Sequence, residues 1–384
     1  MGSNDDGSEK PPFRKTHNND IENIRQINSI LVLNALRVSG RLLSRPILSE
    51  LLFLSKVTVA NILDDLAELG FVTQAGVGTP GSRGGRKPLL VTIDRQRKRV
   101  VGGVVDGRTL HLALGDLNGH ELKRLAADLD SDNESKKISA LVNDLLAEAG
   151  SNPQAVVGMV LIGCKKVKFP ELEEALGFPV RECRFAEARA FGECWFNHDP
   201  FEADFFFVNL DGKVDGLAVR QSIIDHTFGG FPGCYLAPVP YGNEVERRAL
   251  TLEAALSGHD FLRQAEDTLK SPLTFEQLLT LADAGDERVL ELFREYGYNL
   301  GCALSLVVNM SCLRKIVLGG PLARGWRHFK ETLQKSLKLH MDESLHEAIV
   351  VKPIRHDLDN GLSGAMAIAL DSWVFNTTAL KRGE

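Results

Sequence analysis

The stretch SKVTVANILDDLAELG, Ser55 to Gly70, decides how the first ninety or so residues fold. Ser55 is a residue type that caps helices by accepting a hydrogen bond from a free first-turn N–H. Gly70 is a residue type that ends them. Between the two, Val59, Ile62, Leu63, Leu66 and Leu69 recur at three- and four-residue spacing, which predicts a helix with one apolar stripe. Lys56, Thr58, Asn61 and Asp65 fall on the other face. Polar side chains gathered at the N-terminal end of a helix are what a major groove receives from a recognition helix. The acidic Asp64, Asp65 and Glu68 lie toward the end that would leave the groove.

The flanks agree with that reading. Upstream, Ile24, Ile27, Ile30, Leu31, Leu33, Leu36 and Val38 predict an amphipathic helix over residues 21–38, ended by Ser39-Gly40. Ser44, followed by Pro46 in the first turn, predicts a short second helix that turns Ile47, Leu48, Leu51 and Leu52 inward and closes at Phe53-Leu54. Downstream, residues 71–73 and 89–93 read as strands joined by a glycine-rich segment, a β-wing carrying Arg83, Arg86 and Lys87. A basic glycine-rich loop by itself is usually a solvated loop. Behind a capped recognition helix, its glycines let backbone approach DNA while arginines reach phosphates or the minor groove. The ordered combination predicts a winged helix-turn-helix over residues 20–95, with Ser55, Lys56, Thr58, Asn61, Arg83, Arg86 and Lys87 as its DNA-binding residues.

Charge follows the same division. The 384 residues carry a net charge of −6, yet Phe13 to Arg99 holds 14 Lys and Arg against 7 Asp and Glu, about +7. Residues 1–12 contribute about −2, so about −11 remains for Val100 onward. A basic head thus precedes an acidic body. Length and 43% hydrophobic content predict two or three globular domains. No apolar run approaches the roughly 20 residues of a membrane span, and residues 1–19 read as a disordered polar tail without the apolar core of a signal peptide. Six scattered cysteines without a C-x-x-C pair predict neither a disulfide framework nor a zinc ribbon. A cytoplasmic location is the expectation.

In the body, Val100 to Leu117 predicts two strands around Asp106-Gly107-Arg108-Thr109, Ile138 to Ala149 a helix, and Val156–Ile162, Phe205–Leu210 and Leu217–Ile223 further strands, with helices from Leu250 on. On these residues the chain resembles the ROK family of repressors, open reading frames and sugar kinases. The likeness rests on the 55–69 helix with its GGRKP wing (residues 84–88), the hairpin of residues 100–119, KIVLGGPLA at residues 315–323, and GLSGA at residues 361–365. The resemblance implies an α/β fold class, an N-terminal winged helix-turn-helix followed by a two-lobed actin-like ATPase domain of the sugar-kinase kind at residues 96–384. It also implies a repressor of carbohydrate-related genes that binds a double-stranded operator as a homodimer or higher homo-oligomer and answers to a sugar-like effector.

The family's chemistry is where this sequence departs. The first phosphate hairpin has Val105 at its acidic position and Arg108 at a glycine position, and keeps Thr109. The second phosphate turn reads Asn209-Leu210-Asp211-Gly212-Lys213-Val214-Asp215-Gly216, whose carboxylates would repel a triphosphate. The Asn-Asp pair that supplies the catalytic base falls on Arg184-Phe185, and a phenylalanine accepts no proton. In the sugar and zinc segment, Cys234 and Ala237 stand where a glutamate and a histidine belong, and residues 241–252 hold no cysteine. His226, Cys234 and Glu244 are the residues that could still meet at a metal. The expectation is no enzyme, no cofactor, no metal and no catalytic residue. An effector pocket is expected near Arg184, Glu187, His226, Cys234 and Glu253, Glu253 being equally a glutamate favoured at a helix start. A sugar kinase with an appended head and a ligand-independent DNA-binding protein remain as alternatives.

Overall fold

The structure is a computed structural model that describes residues 17–78, 87–129, 133–164, 166–196, 204–221, 223–225, 255–311, 313–355 and 361–376, with side chains described from residue 23. The head is a winged helix: α1 (His17–Ser39), β1 (Leu43–Ser44), α2 (Arg45–Leu51), α3 (Lys56–Glu68), β2 (Val72–Val77) and β3 (Leu89–Ile93). The three strands form an antiparallel sheet in the order β1-β3-β2. Val32, Leu33 and Leu36 of α1, Leu48 of α2, and Val59, Ile62, Leu63 and Leu66 of α3 bury one core between them.

Three details of the head differ from the sequence reading. Ile47 and Leu51 are about half exposed, and of the short helix α2 only Leu48 is fully buried, because two turns leave one inward position. Ser44 sits at the N-cap of α2 without a side-chain cap bond, and its backbone pairs with Leu90 in the sheet. Leu69, at the end of α3, is exposed, as are Ile24, Ile27, Leu31 and Val38 of α1; the buried side of α1 runs through Ile30, Val32, Leu33 and Leu36.

The body consists of two lobes with one repeated topology. The first contains β4 (Arg99–Asp106), β5 (Thr109–Gly115), β6 (Glu121–Asp128), α4 (Glu134–Glu148), β7 (Val156–Ile162), α5 (Phe169–Leu176), β8 (Val180–Cys183) and α6 (Phe185–Phe196). The second contains β9 (Phe205–Leu210), β10 (Val214–Arg220), β11 (Ile223–Asp225), α7 (Gly258–Leu269), α8 (Phe275–Asp283), α9 (Glu287–Ser311), β12 (Lys315–Gly319), α10 (Trp326–Leu339), β13 (Val350–Pro353) and α11 (Leu362–Leu370). The sheets run β6-β5-β4-β7-β8 and β11-β10-β9-β12-β13. In each, two antiparallel pairings are followed by two parallel ones. This is the two-lobed sugar-kinase-like arrangement that the resemblance implied. The repeat itself was not visible in the sequence, because the two lobes fill the same topology with different side chains.

The last helix of each lobe crosses to the other. Ala186 and Ala190 of α6 pack on Phe205, Phe207 and Leu217 of the second sheet. Leu362, Ala365, Met366 and Ala369 of α11 join Val100, Val104, Val160 and Ile162 of the first. Small residues make the crossing possible: a Cβ built on Gly364 would lie 1.8 Å from the Ala188 carbonyl oxygen, so the two backbones touch there. After α11 the chain makes a π-helical turn, Asp371–Phe375, that lies under α1 of the head.

Candidate nucleic-acid interface and interlobe cleft

In the head, the local chemistry of α3 follows its sequence. The Ser55 hydroxyl accepts from the Thr58 N–H at 3.0 Å and lies 2.8 Å from the Thr58 hydroxyl. Lys56 and Asn61 are exposed and Thr58 is partly so, all within the first two turns. No acidic residue stands in the first turn, so the partial positive charge of the helix N-terminus is uncompensated. Two of the three acidic residues farther along are paired: Asp65 with Arg25 of α1, whose Nε lies 3.0 Å away, and Asp64 with Arg45 of α2 at 2.5 Å. The sequence reading missed both pairings, which join residues 40 and 19 positions apart. Lys87 lies just before β3; Arg83 and Arg86 lie outside the described residues.

The head is joined to the body by a hydrogen-bonded turn. Asp94 accepts from the N–H groups of Gln96 and Arg97, and Arg97 donates to the Ala67 carbonyl near the end of α3 at 3.1 Å. Arg95 Nε donates at 2.9 Å to Asp116, a buried carboxylate that also accepts from the N–H groups of Asn118 and His120. On the other side, Asn34 of α1 donates to the Phe375 carbonyl at 2.8 Å. The Arg37 guanidinium lies over the rings of Trp195 and Phe375. Burial lowers the Arg37 pKa, partly opposed by the charge of Asp371, whose own pKa burial raises.

Between the lobes, the structure brings Arg184 and Glu187 together, with Arg184 Nη2 2.9 Å and Nε 3.2 Å from Glu187 Oε1. Arg184 also reaches the second lobe, where Nη1 lies 3.1 Å from Asp215. Burial disfavours the Glu187 charge, but hydrogen bonds from Arg184 and Cys183 outweigh it and hold the carboxyl below its ordinary range. His226, Cys234, Glu244 and Glu253 lie outside the described residues. Among the described residues, no group of three or more His, Cys, Asp or Glu is arranged to hold a metal ion.

Phe185 occupies the place to which the resemblance assigns a catalytic base. Its ring lies 3.4 Å from a Cβ built on Gly163 and 3.7 Å from one built on Gly361, so the glycines at the ends of β7 and before α11 make room for it. Arg189, buried on α6, lies over the same ring at 4.9 Å, donates to Asn209, and stands 3.5 Å from Asp211. The start of α7 covers the turn that follows β9: Gly258 N–H donates to the Asp211 carbonyl at 2.9 Å and Ser257 to the Gly212 carbonyl at 2.7 Å. Gly319 and Gly320 are packing glycines, with Phe207 and the Leu210 carbonyl filling the space a side chain would need. Asn209 Oδ1 and the carbonyls of Asp211 and Gly212 are thus engaged by protein.

Residues 247–372 match the ROK family. That match covers 126 of the 384 residues. A xylose repressor of Caldicellulosiruptor bescii is 25% identical over 233 residues, 55% of this chain and 58% of that protein. The chain therefore spans little more than half the length of that relative. A xylose repressor of Bacillus subtilis is 21% identical over 328 residues, 77% of this chain and 82% of the relative. Among solved structures, a ROK family transcriptional regulator described as a homolog of the E. coli MLC protein superposes with a TM-score of 0.75 at 16% identity, over 91% of this chain and 97% of that one. A ROK family glucokinase from Streptomyces griseus, in complex with glucose and AMPPNP, gives 0.54 at 15% identity over 70% and 98%. At these identities the structural likenesses establish the fold alone: a winged head on a two-lobed body. Among the described residues, no single helix is long and apolar enough to cross a membrane.

Proposed function

We propose that this chain is a sequence-specific DNA-binding transcriptional regulator, a repressor of carbohydrate-related genes, whose body is an effector and oligomerisation scaffold without kinase activity. The observation that carries the reading is α3: a helix capped by Ser55, free of acidic residues in its first turn, that presents Lys56, Thr58 and Asn61 to solvent. In this reading the head is the DNA-binding domain of residues 20–95. Two copies would place their α3 helices in successive major grooves of a roughly palindromic operator, with Arg83, Arg86 and Lys87 of the wing on phosphates or in the minor groove. Residues 96–384 would hold the effector between the lobes beside Arg184 and Glu187, with His226, Cys234 and Glu253 as further candidate contacts. The names of the curated relatives make xylose the first sugar to try.

The test is selection of duplex DNA by the full chain, followed by binding measured by fluorescence anisotropy. Asn61→Ala is expected to change preference at particular base pairs, whereas Arg86→Ala is expected to weaken all sequences alike and lower the salt dependence. A chain that enriches no duplex sinks the reading. The absence of phosphoryl transfer follows from Phe185, which offers no proton acceptor where a sugar hydroxyl would need one. Sugar-dependent ATP turnover that survives repurification and falls on mutation of the cleft would overturn that part.

A further inference from the structure

The turn between α2 and α3 holds a phenylalanine in a backbone conformation that favours glycine. Phe53 has φ +55° and is 95% exposed. A bulky L residue in the left-handed region is an outlier, because its Cβ crowds the following carbonyl oxygen. A ring left in water gains nothing from the hydrophobic effect. The turn around it is firmly made: Phe53 N–H donates to the Glu50 carbonyl at 3.4 Å, Leu54 N–H to the Ser49 carbonyl at 3.2 Å, and the Ser49 hydroxyl to the Leu54 carbonyl at 2.6 Å. Leu54 packs on the core. The ring is therefore held outward by a fastened turn, and folding explains neither its strain nor its exposure.

Four residues on, Val57 is a second apolar side chain left in water, 69% exposed in the first turn of α3. The two flank an electropositive point made by the helix N-terminus and the exposed Lys56, with Asp64 and Asp65 tied to arginines. A surface that is both positive and apolar fits a polyanion whose accessible edges carry methyl groups. Duplex DNA offers phosphates beside the thymine C5-methyl in the major groove. An acidic protein partner would satisfy the charge, but the exposed polar face of α3 continues from this point through Thr58 to Asn61, as base readout requires.

We propose that Phe53 and Val57 form an apolar contact with thymine methyl groups at the edge of the site read by α3, and so help to set the sequence preference. The proposal rests on the DNA-binding reading. It is tested with the full chain and a duplex selected by the wild type, alongside the same duplex carrying deoxyuridine in place of successive thymines. Phe53→Gly is expected to bind several-fold more weakly while melting at the same or a higher temperature, since glycine adopts this φ without strain. Phe53→Tyr, which keeps the ring, is expected to bind as the wild type does. At least one deoxyuridine is expected to weaken the wild type while leaving Phe53→Gly or Val57→Ala unaffected. If Phe53→Gly binds like the wild type, or if every deoxyuridine acts equally on wild type and variants, the contact is wrong while DNA binding stands. If the wild type selects no duplex, the DNA-binding reading falls and takes the contact with it.

Discussion

The guanidinium carbon of Arg37 lies 4.2 Å from the centre of the Trp195 ring, and this contact joins the head to the helix that carries Glu187. Trp195 lies in the last turn of α6, which starts after Arg184, carries Glu187 in its first turn, and meets Asn209 and Asp215 of the second lobe through arginines. Phe375, the other ring near Arg37, ends the π turn that follows α11. Each of the two helices that cross between the lobes thus reaches Arg37 at its far end.

Arg37→Leu is expected to loosen the head. A desolvated cation over aromatic rings contributes about 1–2 kcal/mol, and a loss of that order is expected in chemical denaturation. Hydrogen exchange should rise in α1 more than in α9. Unchanged protection of α1 would mean the stacking carries no docking energy.

Gly364→Ala tests the crossing of α6 and α11. A methyl group 1.8 Å from the Ala188 carbonyl oxygen has no rotamer by which to escape, so backbones must separate. A destabilisation of about 1–3 kcal/mol is expected, as for overpacked cores. A urea midpoint equal to that of the wild type would contradict the closeness of the helices.

Glu187 makes the cleft sensitive to acid. Its pKa is lower in the folded chain than the ordinary carboxylate value, so the unfolded chain binds the proton more readily as pH falls. The stability it supplies is complete above the unfolded value, about 4.3, and is lost as pH falls through the lowered one. Urea midpoints measured between neutral and acid pH should fall less steeply for Glu187→Gln. Parallel curves would place the acid sensitivity elsewhere.

Thiol reactivity should divide the described cysteines. Burial pushes Cys164 and Cys194 up to about 12, and burial together with Glu187 raises Cys183 further, so these three stay protonated at mildly alkaline pH. Cys302 is only partly buried and is expected to alkylate first among the four in the folded chain. Mass spectrometry after brief iodoacetamide treatment reads this directly.

The sequence by itself determined those elements whose signals are local. Strong local signals sufficed for the α3 cap at Ser55, the strands at Val156–Ile162 and Phe205–Leu210, and the hairpin turning at Gly107-Arg108. Each rests on periodicity or turn chemistry within a few residues. The expectation of no catalytic base at Phe185 rests on residue type and on a resemblance. What only the tertiary structure decided lies between residues far apart in the chain: Arg25 and Arg45 on the two aspartates of α3, Arg184 on Asp215, Arg37 on Trp195, and Gly364 against Ala188. The half-exposure of Ile47 and Leu51 and the left-handed turn at Phe53 belong with these. An apolar residue's periodicity states which face it shares, whereas its burial depends on what the rest of the chain brings against that face.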